Sequence, residues 1–558
     1  MFSKFINTNY YNIGTFVFII ILLANCNSFN KNRNDLFYYN EDSGITSLDP
    51  GFAKDQNNIW AVTQLYNGLV ELDSNLNIIH SLAKKWEITD SGKTYTFHLR
   101  DDIYFQDHDC FANGKGRKLN SKDIAFSLIR IFDPATASPG AWLLNEKWLP
   151  ITNPKTDKNI YNNSKLIETP NDTTVIIHIA KAFPPFLGQL TMPYCFIIPY
   201  EAIEKYGKDF RSHPAGTGPF QLKFWEDGVK LVMERNPHYF EKDKDSKPLP
   251  YLNGIVVSFI GSKHSAFLEF LQGKLDFVNG LESSFKDDVL TKSGSLKQKY
   301  DSKFKLVLGN YLNTEYLGFL VDDSLPLSKN SPFANIYFRQ AISYAINRKE
   351  MVAQLRNNIG NGNVGGFIPK GLPGNIEDNI YTYSPEKARE LLHKSGYNKK
   401  NEITIYTTKN YLDLTVYIQN QLAAIGIKCK IENNPGTTQR QMVAKSQALF
   451  FRGSWIADYP DAENYLSLFY SKNFCPSGPN YFHYTNLEID KLYTSSLTIT
   501  NDSIRTKLYN IIDKKIMDDA PVVVLFYDRS IRLVQNNITN LPTNPLNLLV
   551  LKNTKKSP

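Results

Sequence analysis

The chain has 558 residues, 42% of them hydrophobic and 13% aromatic, enough apolar material for a large core and for two or three domains. Charged residues make up 21% and are mixed along the sequence, which excludes a disordered or low-complexity chain. The formal net charge of +8 is small for this length, and the lysines lie among acidic residues instead of forming a stripe, so no nucleic-acid partner is expected.

At the N-terminus, Lys4 precedes an apolar run from Ile13 to Ala24, about the length of a signal-peptide core and shorter than the ~20 residues a membrane span needs. The run ends in Leu23-Ala24-Asn25-Cys26, which resembles the bacterial lipobox, the motif in which the cysteine is acylated and becomes the new N-terminus. Cys26 is therefore the expected lipid anchor, residues 1–25 the lipoprotein signal peptide, and the polar, Asn-rich stretch 26–35 a flexible tether. The competing readings are an uncleaved signal anchor and a plain secretory peptide. An exported compartment permits disulfides among the remaining Cys110, Cys195, Cys429 and Cys475, but their wide spacing selects none of the possible pairings. Without a close pair of cysteines, zinc ligation is not expected either.

Further along, residues 94–99 read as a strand with Tyr95, Phe97 and Leu99 on one face, and Val175, Ile177 and Ile179 repeat the pattern. Between them, Asp107-His108-Asp109-Cys110 offers several metal-ligand types, but no second His or Cys follows at ligand spacing and glycines mark a turn, so a solvated loop is expected. The spacing of Phe338, Ala341, Ile342, Ala345 and Ile346 predicts a helix around 335–346 with one buried stripe. Gly360-Asn361-Gly362-Asn363-Val364-Gly365 fits the dinucleotide pattern GxGxxG, yet it follows a helical stretch and runs into more Gly and Pro, which predicts a loop with no nucleotide.

Ser384-Pro385-Glu386 opens a helix that Gly396 ends. After it come a strand at 403–406, a helix with the stripe Leu414, Ile418, Leu422 and Ile425 closed by Gly426, and a strand at 427–431 in which Cys429 points inward. Residues 311–524 therefore read as an α/β domain of their own, with a cleft beyond its strand ends. No HExxH or GxSxG motif occurs and no nucleophile and base pair stands out, so no catalytic residue is assigned.

The segment from Phe451 to Leu466 sets acids among aromatic residues and a proline turn. A carboxylate among Trp455, Tyr459 and Pro460 could be a buried anion kept for a cationic ligand, since an unpaired buried charge costs several kcal/mol. The alternative, which composition alone favours, is an acidic surface turn that caps a following helix.

Eight short motifs in order now carry a resemblance: Ser47-Leu48-Asp49-Pro50, Leu65-Tyr66-Asn67-Gly68-Leu69, Leu82-Ala83-Lys84-Lys85-Trp86, Tyr95-Thr96-Phe97-His98-Leu99-Arg100, Gly216-Thr217-Gly218-Pro219-Phe220, Glu234-Arg235-Asn236-Pro237, Phe338-Arg339-Gln340-Ala341 and Trp455-Ile456-Ala457-Asp458-Tyr459. Together they make nearly the whole mature chain similar to the extracytoplasmic solute-binding proteins of the dipeptide, oligopeptide and nickel type, family 5. The resemblance implies an α/β, two-lobed periplasmic-binding-protein fold of type II, cluster C. Lobe I would comprise residues 36–70, 190–310 and 525–558, with an inserted domain at 71–189; lobe II would span 311–524, and the ligand cleft would lie between the lobes.

It also implies that Asp458 pairs with the α-amino group of a peptide, with Trp455 and Tyr459 beside it, while the edge from Arg452 through Ser454 to Trp455 pairs with peptide backbone. Arg452 matches a position that meets the peptide carboxylate in some oligopeptide binders; a salt bridge between lobes is the equal alternative. This sequence departs from the oligopeptide binders at Gly140, where those proteins often place a tyrosine near the ligand, at Lys54, which is acidic in some, and at Ile456, which replaces a disulfide cysteine.

The function so implied is the substrate-binding component of an ABC importer, a monomer without cofactor or catalysis that passes short peptides to a permease and ATPase complex. Its expected place is the cell envelope, lipid-anchored and facing the periplasm or exterior. The rivals are the same fold holding a nickel chelate or haem, a lipid-anchored hydrolase, and a surface adhesin, the last predicting an exposed apolar patch.

Overall fold

Short runs rich in Val, Ile, Phe and Tyr, bounded by Gly, Pro and Asn, form the strands of the computed structural model, which describes residues 35–144, 166–398 and 400–557. The expected signal peptide and Cys26 lie outside these residues. In chain order the strands are β1 (Leu36–Asn40), β2 (Val70–Leu72), β3 (Ile78–His80), β4 (Ala83–Thr89), β5 (Thr94–Leu99), β6 (Ile167–Asn171), β7 (Thr174–His178), β8 (Phe220–Glu226), β9 (Lys230–Arg235), β10 (Gly254–Ser258), β11 (Phe277–Asn279), β12 (Phe304–Phe319), β13 (Glu402–Thr408), β14 (Lys428–Asn434), β15 (Phe450–Ile456), β16 (Val522–Gln535), β17 (Ile538–Thr539) and β18 (Lys555–Lys556). Ten of them form one mixed sheet in the order β14-β13-β15-β12-β16-β11-β1-β10-β9-β8, and β4-β5-β7-β6 form a separate antiparallel sheet.

The smaller sheet is built on the alternation expected at 94–99 and 175–179: Tyr95, Phe97 and Leu99 point inward with Val175 and Ile177, and their neighbours are half-buried. The helix Ser121–Phe132 covers that face, adding Ile124 and Leu128 to the same core. Its start is fixed by a capping box, Asn120 accepting from the first turn and Asp123 reaching back to the Asn120 N–H.

In the larger sheet β12 and β16 are the long strands, 16 and 14 residues, and they join its two halves. The first half of β12 lies beside the end of β16 that pairs with β11, and the second half lies between β16 and β15. Where one half gives way to the other, the register against β16 slips between Asn310 and Thr314, leaving Tyr311, Leu312 and Asn313 as a bulge without partners on β16, while Asn313 still pairs with Ile456 of β15.

The helix Ile336–Ala345 buries the predicted stripe Phe338, Ala341, Ile342 and Ala345, and Leu412–Ala424 buries Leu414, Ile418 and Leu422, all in one core against the sheet. Each such Leu or Ile contributes about 2 kcal/mol by leaving water. β13 and β14 pair in parallel on either side of the second helix, the expected strand, helix, strand unit. The cysteines Cys110, Cys195, Cys429 and Cys475 are free thiols, and Cys429 is buried as its alternation predicts. The glycine motif at 360–365 is a loop between the helices Arg348–Leu355 and Pro385–Lys394, with Asn361 bridged to Tyr527, so no helix start follows it. In the Asp107 loop, Asp107 pairs with Lys115 at 2.7 Å and His108 accepts from the Cys110 N–H. Among the described residues no helix is long and apolar enough to cross a membrane.

Candidate functional site

β15 delivers the acidic segment to the middle of the large sheet. Its partner is β12, with Ser454 opposite Glu315 and Trp455 opposite Thr314. Past Ile456 the chain stays tied to the bulge of β12, for the Ala457 N–H donates to the Leu312 carbonyl at 3.0 Å. The next acids then divide the work. Asp461, just before the Ala462 N-cap, accepts the N–H of Glu463, first residue of the short helix Glu463–Leu466, at 2.9 Å and pairs with Arg505 at 3.3 Å, so the acid serving the helix start is Asp461 and not Asp458.

Asp458 is half-buried and set against Asn464. The Asn464 amide donates to one Asp458 oxygen at 3.0 Å, while its own oxygen accepts from the Asp458 N–H at 3.1 Å and the Trp455 indole N–H at 3.0 Å. One buried asparagine thereby fixes both Trp455 and Asp458. Among the described residues the other Asp458 oxygen has no donor, and no ion pair to Asp458 exists. Burial pushes its carboxyl up to about 6, opposed by the Asn464 bond and reinforced by Glu463.

Tyr459 turns away from that free oxygen. It is 2% exposed within the core of the smaller sheet, and its hydroxyl donates to the Glu463 carboxylate, which also accepts from Tyr493. A Cβ on Gly188 would stand 3.5 Å from Pro460, so the segment 186–189 packs directly on the turn that carries Asp458. Tyr459 therefore secures the turn to the smaller sheet.

Arg452 and Ser454 share a face of β15 with Glu315 and Asn313 of β12. Arg452 forms an ion pair with Glu315, the two side chains being 10% and 1% exposed, and its guanidinium lies 3.1 Å from the centre of the Tyr411 ring. Burial opposes its charge, and Glu315 together with Tyr411 more than offsets this, holding the guanidinium above its ordinary range. The partner of Arg452 is thus a carboxylate on the neighbouring strand β12. Glu315 accepts from Asn313 as well, at 2.9 Å.

Two contributors escape sequence reasoning. Asn464 looks like any helix asparagine until its three hydrogen bonds are seen. Tyr194, far along the chain, is buried close enough to Asp458 that burial and then the carboxylate hold its hydroxyl well above the usual range. A Cβ on Gly140 would meet the Tyr194 ring at 2.6 Å. Gly140, where the resemblance expects a tyrosine, is therefore the gap that Tyr194 fills. No group of three or more metal-ligating side chains occurs among the described residues.

Solved structures share this architecture. The periplasmic binding protein DppA from Helicobacter pylori in complex with peptide STSA superposes with a TM-score of 0.76 at 24% identity, over 94% of this chain and 98% of that one. Haemophilus influenzae OppA in complex with RPPGFSPFR gives 0.73 at 22%, over 94% and 99%. The fold is thus the two-lobed type II periplasmic binding fold. Residues 77–474 match the family model described as bacterial extracellular solute-binding proteins, family 5 middle, and the chain belongs to that family. The glutathione-binding protein GsiB of Escherichia coli O6:K15:H31 is 26% identical over 507 residues, spanning 89% of this chain and 90% of the relative.

Proposed function

We propose that this protein captures short peptides between its lobes and delivers them to the permease and ATPase of an ABC importer, with Asp458 receiving the peptide's α-amino group. The observation that carries this reading is the Asp458 carboxylate: one oxygen is pinned by Asn464, and among the described residues the other has no donor and no cation pairs with it. A peptide ammonium supplies the missing charge, and the bond it forms is charge-assisted and partly shielded from water. Trp455, held by Asn464, flanks the ammonium, and the Arg452 to Trp455 strand offers backbone to the ligand. Tyr459 serves as a positioning residue. The peptides named with the DppA and OppA structures fit the same reading.

In this proposal residues 36–70, 190–310 and 525–558 form lobe I, 71–189 its inserted domain and 311–524 lobe II. A ligand closes the lobes only by as much as it binds the closed state better. Cys26 anchors a monomer to the membrane, and bound peptides leave chemically intact.

Native mass spectrometry of the purified, untreated protein tests the proposal. A ladder of co-purified peptides is the expected result; one non-peptide mass in their place would strip Asp458 of its role as the amino-terminus anchor.

A further inference from the structure

Asp528 lies on β16 across from the bulge of β12. Its neighbours are both paired, Tyr527 with Thr314 and Arg529 with Asn310, so Asp528 faces the looped residues Tyr311 to Asn313. One of its oxygens accepts the Arg529 N–H at 2.8 Å, and the carboxylate has no ion pair among the described residues. Two arginines lie near enough to act on it: Arg356 is engaged with Asp413 at 2.9 Å, and Arg452 pairs with Glu315 through Nη2 while its Nε is buried with no hydrogen-bond partner among the described residues. The Arg529 side chain is exposed and forms no ion pair there.

A second atom in the bulge also lacks a donor. Asn313 is 4% exposed, and its Nδ2 donates to Glu315, which settles which end of the amide is which; its Oδ1 is buried with no hydrogen-bond partner. Leaving such an acceptor unmet costs about 1–3 kcal/mol. Around the bulge, then, one Asp528 oxygen and the Asn313 Oδ1 have no protein donor among the described residues, and neither described arginine nearby is paired with them.

Asp458 stands on the other side of the same bulge, because β15 and β16 flank β12 and Ala457 bonds to Leu312. Two strand spacings separate the backbones carrying the two carboxylates, about 10 Å. That span is what one or two extended residues plus a long side chain cover.

We propose that Asp528 and the Asn313 side-chain Oδ1 form a second cation subsite about 10 Å from Asp458, so that the preferred ligands are short peptides with a lysine or arginine side chain close to the amino terminus. The inference rests on the peptide reading above. An ammonium or guanidinium brings the donors that both acceptors lack, whereas an acidic side chain in that place would bring a like charge to Asp528.

The test is calorimetric titration of the ligand-stripped protein with alanine di- to pentapeptides carrying one lysine, norleucine or glutamate at each position. At the position nearest the subsite, lysine is expected to bind about tenfold tighter than norleucine, and glutamate weaker than either. In Asp528→Asn the lysine preference disappears while all-alanine peptides keep their affinity within about threefold. Equal binding of lysine and norleucine peptides to the unaltered protein overturns the subsite without any variant, as does a lysine preference that survives Asp528→Asn. If no peptide binds at all, or if Asp458→Asn binds every peptide normally, the peptide reading itself fails and this inference with it.

Discussion

A carboxylate withdrawn from water and given no cation is in an unfavourable state, and both conditions meet at Asp458. Asp458→Asn keeps the shape and the Asn464 contact but removes the charge. Affinity for free-amino peptides should fall about 30- to 1000-fold, the equivalent of 2–4 kcal/mol, while the unliganded variant melts at or above the unaltered protein; undiminished affinity on titration would contradict the assignment. The pH dependence has opposite signs for binding and for stability. Pairing with an ammonium needs the charged carboxylate, so affinity should weaken as pH falls through about 6. Glu41, Asp458, Asp513 and Asp528 are all raised, to about 8, 6, 7 and 6, chiefly by burial. Their unfolded values are near 4, so the stability they contribute is complete below about pH 4 and is lost as pH rises through 6 to 8. The unliganded protein should therefore melt higher at pH 5.5 than at pH 8 by scanning fluorimetry, and the reverse order would count against these burials.

At the scale of elements, the turn carrying Asp458 is held by parts of the chain that are remote in sequence. Gly140→Tyr would drive a ring into Tyr194, which a bare Cβ already meets at 2.6 Å. It should cost about 1–3 kcal/mol and weaken ligand binding, and Tyr194→Gly in the same chain should recover part of the loss; a stable single variant would contradict the packing. Glu315→Ala strands Arg452 in the interior and should destabilise by about 3–5 kcal/mol in denaturant titrations. These contacts mark how far the sequence could be read. The helix stripes at 338–346 and 414–425 were legible because burial repeats with the helical period, and the strands at 94–99 and 175–179 because it alternates. The acids were harder. Asp458 and Asp461 stand in one run and look alike, and only the fold shows that Asp461 accepts the first N–H of a helix while Asp458 keeps an oxygen without a donor among the described residues. Glu315 is 137 residues from Arg452, and nothing local to either announces the pair.

In the whole molecule, the large sheet runs unbroken through β12 and β16, and the bulge between Asn310 and Thr314 sits where its halves meet. Asp458 and Asp528 flank that bulge, so a ligand held by both would bear on the strands that join the halves. The proposed lipid anchor carries a separate expectation: Cys26→Ser should release the protein from membranes into the soluble fraction, and tight retention would favour an uncleaved anchor. The central claim remains that Asp458 reads the amino terminus of a peptide. The direct measurement is calorimetric affinity for one co-purified peptide sequence, synthesised with a free and with an acetylated amino terminus. Acetylation removes the charge and should weaken binding about 100-fold or more; equal affinity for the two forms would contradict it.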